Sequence, residues 1–304
     1  MQIKLNFYLE IIGGNMNKSN IKLVPPCSYQ GGKQRLAKKI VDIIFEQNEI
    51  NEDTKFYDLC CGSGALTLEL INRGIHPSNI TMVDSGVYGT FWNSVANDEF
   101  DMNIFKQEID KLPSVDKIQS YLQRLSNLSV NKDLLEYHYL LLQSGSFGSK
   151  QIWVENDKWK NNSFRSYWTP TETSNRRSPV NPMMPMPNTL FDRVKNIVDY
   201  MAGSINAINL DISKIEWHFD KNSIVYIDPP YKNTTGYGFN FDYEEFIINN
   251  WAYVNIYVSE GYKMDNVEDA ILLSKGRAKG SISGDIKKKP TEEWLNIFKL
   301  HDLK

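Results

Sequence analysis

Short apolar stretches alternate with longer amphipathic ones along most of this chain. Residues 55–60, 79–83, 205–210, 224–227 and 254–258 are brief runs in which β-branched and aromatic side chains recur, and they predict strands. Helical spacing dominates between them. Ile40, Val41, Ile44 and Phe45 fall on one face of a helix predicted over 34–47, with Lys38 and Lys39 outside. Further helices are predicted over 65–73, 86–97, 188–202 and 242–250. Residues 101–143 read as helices broken near Pro113 and near 129–131. There Ile118, Leu122, Leu125 and Leu128 repeat at helical spacing and are expected in the core. Residues 293–298 read as a closing strand or helix. The fold class this implies is α/β, with a mostly parallel, doubly wound sheet.

The pattern fails between Gly145 and Pro187. That segment is rich in Ser, Asn, Trp, Pro and Arg. It holds six basic residues (Lys150, Lys158, Lys160, Arg165, Arg176, Arg177) against three acids (Glu155, Asp157, Glu172). Phe147, Trp153, Trp159, Phe164, Tyr167 and Trp168 are interleaved with them. Basic groups contact phosphates, while aromatic and amide groups reach bases or wedge between them, so the six basic residues are candidate DNA contacts. The plainer alternative is a long surface excursion that packs its own aromatics. The expected organisation is a core in two parts, 16–100 and 188–304, separated by a helical and irregular insert over 101–187. Residues 1–15 are either a dispensable leader ahead of a start at Met16 or an N-terminal strand.

Candidate chemistry gathers at the carboxyl ends of the predicted strands, where open α/β sheets bind ligands. Asp228-Pro229-Pro230-Tyr231 follows the apolar run 223–227. The prolines cannot continue a sheet ladder. They leave a rigid turn carrying a carboxylate, exposed carbonyls and an aromatic face. That set suits a planar base with an exocyclic amine: Asp228 and the Pro229 carbonyl accept its two hydrogens, and Tyr231 stacks on the ring. The alternative is an Asp-Pro turn capped by a tyrosine. Asp58-Leu59-Cys60-Cys61-Gly62-Ser63-Gly64 runs from a strand through a glycine turn into a helix, the layout of a nucleotide-moiety site. Thr67 stands where a dinucleotide fingerprint requires its third glycine, which argues against nicotinamide cofactors. Asp84 ends the next strand about 20 residues on, the place of a ribose-binding carboxylate, or else of a helix cap. Ser28-Tyr29-Gln30-Gly31-Gly32-Lys33 offers close backbone approach and a cation. Cys27 and Gln34 occupy the positions where a triphosphate loop needs Gly and Ser or Thr, so that reading is rejected. Glycines 236 and 238 in the loop 232–240 would permit a lid.

Composition adds bounds. The 304 residues, 41% of them apolar, suffice for one large domain or two smaller ones. Net charge is −3 and the pI about 5.9, so any nucleic-acid face must be local. Residues 275–289 hold six Lys or Arg and one Asp, either a second phosphate contact or a solvated hairpin. The three cysteines, two of them neighbours that would bridge only with strain, point to free thiols and a reducing cytoplasm. No apolar run approaches the length of a membrane span.

The ordered set of motifs resembles the Dam-type family of DNA adenine-N6 methyltransferases, in the arrangement with the recognition insert between cofactor and catalytic motifs. The resemblance covers about residues 27 to 298. Tyr29, Gly32 and Lys33 lie in a match to the family's Gly-Gly-Lys motif. Asp58 to Gly64 is similar to its glycine motif, with Cys60 in an aromatic's place. Asp84 matches the ribose-binding acid. Asp211-Ile212 stands where the family has an Asp-Phe that holds the cofactor adenine, and Asp228 to Tyr231 matches the catalytic motif at every position. The resemblance implies a Rossmann-like class I methyltransferase core. It implies methyl transfer from S-adenosyl-L-methionine to N6 of an adenine flipped out of double-stranded DNA. It also admits a cognate restriction endonuclease as a partner. Asp228, Pro229, Pro230 and Tyr231 would be catalytic. Tyr29, Gly32, Lys33, Asp58, Cys60, Gly62, Gly64, Asp84, Asp211, Ile212 and Asp228 would hold the cofactor.

Four rivals remain. An RNA adenine methyltransferase could share the site, and an inactive DNA-binding relative could keep the fold. A cytosine-C5 enzyme needs a Pro-Cys nucleophile, and Pro26-Cys27 precedes the glycine motif, the wrong side for that family. Cytosine-N4 enzymes usually carry Ser where Asp228 stands.

Overall fold

The computed structural model describes residues 21–230, 243–275 and 292–299. The leader segment 1–15, Tyr231, the loop 232–240 and residues 276–289 of the basic run lie outside them.

Seven strands form one sheet: β1 (Lys55–Leu59), β2 (Ile80–Val83), β5 (Asn206–Ile208), β6 (Ser223–Ile227), β7 (Asn255–Glu260), β8 (Asp269–Lys275) and β9 (Glu292–Phe298), in the order β5-β2-β1-β6-β7-β9-β8. β5, β2, β1, β6 and β7 are parallel neighbours, and β9 runs antiparallel to both β7 and β8. The order reverses direction between β1 and β6, which pair from Lys55↔Ser223 to Leu59↔Ile227. A crevice opens at such a switch point, beyond the strands' carboxyl ends.

The sheet is apolar on both faces, which is why its central strands read as continuous hydrophobic runs rather than alternating ones. Every residue of β6 is buried. Ile224 and Tyr226 enter one core cluster, with Phe56, Ile80, Met82 and Tyr257. Val225 and Ile227 enter the other, with Leu59, Val83, Ile256 and Val258. The first face is covered by α1 (Ala37–Gln47), α2 (Ala65–Asn72) and α3 (Val87–Ala96). The second carries α8 (Tyr243–Asn250) through Tyr243, Phe246 and Ile247. Trp217 and Phe219 pack there edge-on against Tyr57 on β1, the ring centroids of Tyr57 and Phe219 4.9 Å apart, and Phe246 packs against both.

The helical stretch resolves into α4 (Met102–Asp110), α5 (Ile118–Ser126) and α6 (Leu135–Gly145). Asp101 caps α4, its carboxylate accepting the Asn103 N–H at 2.7 Å. Ile118, Leu122 and Leu125 are buried as their spacing predicts. Leu128 is not: α5 ends at Ser126, and Leu128 is 61% exposed. Pro187 opens α7 (Pro187–Met201), a position where its missing N–H costs nothing. Residues 101–187 have no separate apolar centre. Leu122, Tyr139, Trp159 and Phe164 belong to the same cluster as Ile224 and Tyr226.

Two features depart from the pattern reading, and one alternative is decided. A hairpin of β3 (Trp153–Glu155) and β4 (Lys158–Lys160) stands inside the segment read as irregular. Asn156 and Asp157 form its two-residue turn, both at positive φ (52° and 55°), as the favoured hairpin turns require. Residues 269–275 form a strand that no alternation announced. Residues 292–298 close the sheet as a strand, not a helix.

Candidate functional site

One cleft of about 890 Å³, counting its open mouth, lies over the switch point. The glycine turn after β1 builds its floor. Cys60, Gly62 and Gly64 all have positive φ (60°, 49° and 71°), which folds the chain sharply between β1 and α2. The two glycines serve different ends. A Cβ on Gly62 would stand 2.9 Å from the Tyr29 ring, so the bare Gly62 lets that ring pack directly on the turn at the cleft. A Cβ on Gly64 would stand 2.5 Å from Trp92, so Gly64 is a packing glycine behind the cleft, whose lining it does not join. Trp92 donates its indole N–H to the Gly62 carbonyl at 2.8 Å and so fixes the turn from beneath.

Asp58, read from sequence as a ligand residue, is 1% exposed and reaches the cleft wall only from below. Its carboxylate accepts both the hydroxyl (2.7 Å) and the backbone N–H (3.2 Å) of Thr67. Thr67 in the third-glycine position is thereby explained: it clamps the strand end to the first turn of α2. Burial pushes the Asp58 carboxyl up to about 7, with the Thr67 hydrogen bonds opposing.

Asp84, at the carboxyl end of β2, lines the cleft. It accepts the Gly62 N–H at 2.9 Å and the Gly86 N–H at 2.7 Å. By these bonds it braces the entry to α3 from the cleft wall. Burial raises its carboxyl above the usual range, opposed by those N–H donors.

The Tyr29 to Lys33 segment forms the opposite wall. Tyr29 packs edge-on against Tyr88, centroids 5.2 Å apart, and the Cys27 thiol meets the Tyr88 hydroxyl at 3.2 Å. Lys33 is 5% exposed and crosses to β6, where its ammonium meets Asp228 Oδ1 at 2.5 Å. It also donates to the Gly31 carbonyl at 2.8 Å and lies 3.4 Å from Glu293 of β9. Asp228 itself leaves the sheet after donating its N–H to the Leu59 carbonyl at 3.1 Å. Burial lifts the Asp228 carboxyl to about 6, with Lys33 pulling it down and Glu293 pushing it up. Pro229 and Pro230 continue the wall. Asp211 and Ile212 close the cleft beyond β5, Asp211 capping a short 3₁₀ turn through Ser213. Cys60 and Cys61 are free and line the cleft, but burial raises both thiols well above their ordinary pKa. They are thus poor nucleophiles.

The cleft therefore gathers Tyr29, Gly32, Lys33, Asp58, Cys60, Gly62, Asp84, Asp211, Ile212, Asp228, Pro229 and Pro230, and of the described candidates only Gly64 stands behind it. Gln30, Ser85, Gly86 and Gln151 also line it and escaped the sequence reading. Ser85 and Gly86 were legible as neighbours of Asp84. Gln151 had no local signal, because it reaches the cleft from the segment after α6.

The six basic candidates divide. Lys150, Lys158, Arg176 and Arg177 are exposed. Lys160 pairs with Glu155 at 3.0 Å. Arg165 is turned inward, donating to the Met183 carbonyl at 2.7 Å and the Ser149 hydroxyl at 3.1 Å, so it ties the segment together. The aromatics divide likewise. Trp159, Phe164 and Tyr167 are buried in the main core rather than packed only among themselves, while Phe147 and Trp168 are 61% and 46% exposed.

Among the described residues no group of side chains could hold a metal ion, and no helix is long and apolar enough to cross a membrane. No protein-family model matches the sequence, and no curated protein matches it significantly.

Proposed function

We propose that this protein is a DNA methyltransferase that transfers a methyl group from S-adenosyl-L-methionine to N6 of an adenine, on a Rossmann-like class I core with residues 101–187 as its recognition insert. One observation carries the reading. The glycine turn, Asp84 and the Asp228-Pro229-Pro230 turn, far apart in sequence, line a single cleft over the switch point.

The donor set fits this cofactor better than a polyphosphate one. Asp58, Asp84, Asp211 and Asp228 line the cleft, and Lys33 is already engaged with Asp228. Such a surface favours a ligand that bears positive charge, as a sulfonium and an α-ammonium do. When bound, S-adenosyl-L-methionine supplies a methyl group activated by its positive sulfur. The chain's own residues have the remaining tasks. An adenine amine is a weak nucleophile, because its lone pair is delocalised into the ring. Asp228 and the Pro229 carbonyl, as acceptors for the two amine hydrogens, would favour a pyramidal nitrogen and fix its direction, and alignment of that kind can supply much of a rate. Lys33 holds the Asp228 carboxylate in place from the cofactor side. Tyr231 would stack on the base. The exposed Lys150, Lys158, Arg176 and Arg177 would meet phosphates of double-stranded DNA. Three free thiols suit a reducing compartment such as the cytoplasm.

The test is mass analysis of nucleosides from DNA incubated with the protein and S-adenosyl-L-methionine, beside Asp228→Ala. N6-methyladenine from the unmutated protein alone is the expected result. Cofactor binding with no mark on DNA would overturn the DNA reading, and the same assay on RNA would then separate an RNA enzyme from an inactive DNA-binding protein.

A further inference from the structure

Gln151 is a polar side chain that the fold has buried and left unused. It is 6% exposed, and its Oε1 has no hydrogen-bond partner among the described residues. A buried amide oxygen in that state is a cost, which native proteins accept where something else completes the bond. Here the side chain lines the cleft beside Asp84 and Gly86; its Nε2 lies 3.4 Å from where a Cβ on Gly86 would stand.

The chain around it is held on every side. Gln143, fully buried on α6, accepts the Ile152 N–H at 3.0 Å and donates to the Lys150 carbonyl at 3.1 Å. Asn161, just beyond β4, donates to the Gln151 carbonyl at 2.8 Å. Gln151 is therefore preset before any ligand arrives, so its bond to a ligand would cost little ordering. Its neighbour Asp84 offers only acceptors to the ligand space. Asp84 accepts, while the Gln151 amide donates through Nε2, the atom nearer Gly86, and accepts through Oε1; such a pair matches a ligand edge of hydroxyl groups, which both donate and accept. We propose that Gln151 binds a ribose hydroxyl of the cofactor's nucleoside, together with Asp84, and so makes the segment after α6 part of the cofactor site. This rests on the S-adenosyl-L-methionine reading above.

Calorimetric titration tests it without turnover, using S-adenosylhomocysteine and its 2′,3′-dideoxy analogue against the full chain and Gln151→Leu. The expected result is about tenfold weaker binding of S-adenosylhomocysteine by the variant. The dideoxy analogue, with no hydroxyl to lose, should bind both proteins alike. The variant's own melting temperature should hold or rise, since an unpartnered amide has been removed; a purely structural glutamine would lower it. Gln151→Ala repeats the comparison should leucine not fit. Equal binding of S-adenosylhomocysteine by variant and parent, or an equal loss with both ligands, would overturn the role of Gln151. An unmutated protein that binds neither ligand would overturn the cofactor reading itself.

Discussion

Replacing Lys33 by Met keeps most of the side chain's apolar stem and removes its charge. Asp228 then loses the cation 2.5 Å away while keeping its burial and the neighbouring Glu293 carboxylate, both of which push its pKa upward. A close cation lowers a carboxyl by about 1–3 units, so the Asp228 value should climb from about 6 to about 8 on removal. The sign of the stability effect follows. A folded-state pKa above that of free Asp means the folded protein holds this proton more tightly than the unfolded chain, so stability falls as pH rises through the window. In the variant that window extends upward. Its deficit relative to the parent should be near zero at pH 5, about 1.4 kcal/mol at pH 7 and about 2.7 kcal/mol above pH 9. Urea unfolding at three pH values measures this. On the proposed function, the acid limb of kcat/KM for methyl transfer should move alkaline by about 2 units, because a protonated Asp228 accepts poorly. A deficit that is the same at pH 5 and pH 9, or an acid limb that stays near 6, would refute the coupling of Lys33 to Asp228.

Thr67→Val, which removes one of the two bonds to the buried Asp58 carboxylate, should cost about 1–3 kcal/mol in urea unfolding and leave the sheet intact by circular dichroism. Asp58→Asn should flatten the decline of stability between about pH 4 and the Asp58 pKa of about 7, reducing the slope by about 1.4 kcal/mol per pH unit near the middle. Gly64→Ala combines a positive φ with a methyl 2.5 Å from Trp92 and should destabilise by about 2–5 kcal/mol in thermal unfolding. Lys158→Ala should weaken binding to any DNA sequence and lower the salt slope by about one, whereas Arg165→Ala should chiefly lower the melting temperature, since Arg165 bonds inward to Met183 and Ser149.

The strands of the parallel sheet were legible because burial on both faces turns them into unbroken apolar runs, as in Ser223–Ile227. Their carboxyl ends then pointed to Asp84 and Asp228 with no further information. What stayed hidden depends on partners distant in sequence. The β3–β4 hairpin was masked by charge: Lys158 and Lys160 flank Trp159, and the eye goes to the basic residues before the alternation. Strand β8 has a short apolar run, Ala270 to Leu273, but is mostly half-buried beside β9 and shows no alternation of buried and exposed positions. Leu128 kept helical spacing after the helix had stopped, since periodicity registers position and not termination. Gly64 sat within a ligand motif, yet it stands behind the cleft and makes room for Trp92, whereas Asp58 lines the cleft and also binds Thr67. Only the folded geometry distinguishes a residue that lines a cleft from one that supports it.

The place of β9 in the sheet bears on how the protein is made. β9 is the last of the seven strands in chain order, yet it lies between β7 and β8. While the chain is still on the ribosome and residues 292–298 have not emerged, β8 has no strand to pair with and β7 presents an open edge. An open edge of this kind recruits other chains. The nascent chain is thus exposed to chaperones and to mispairing until residues 292–298 have emerged. Glu293, which lies beside Lys33, arrives in the same step. The electrostatic setting of Asp228 is therefore finished only when the sheet is.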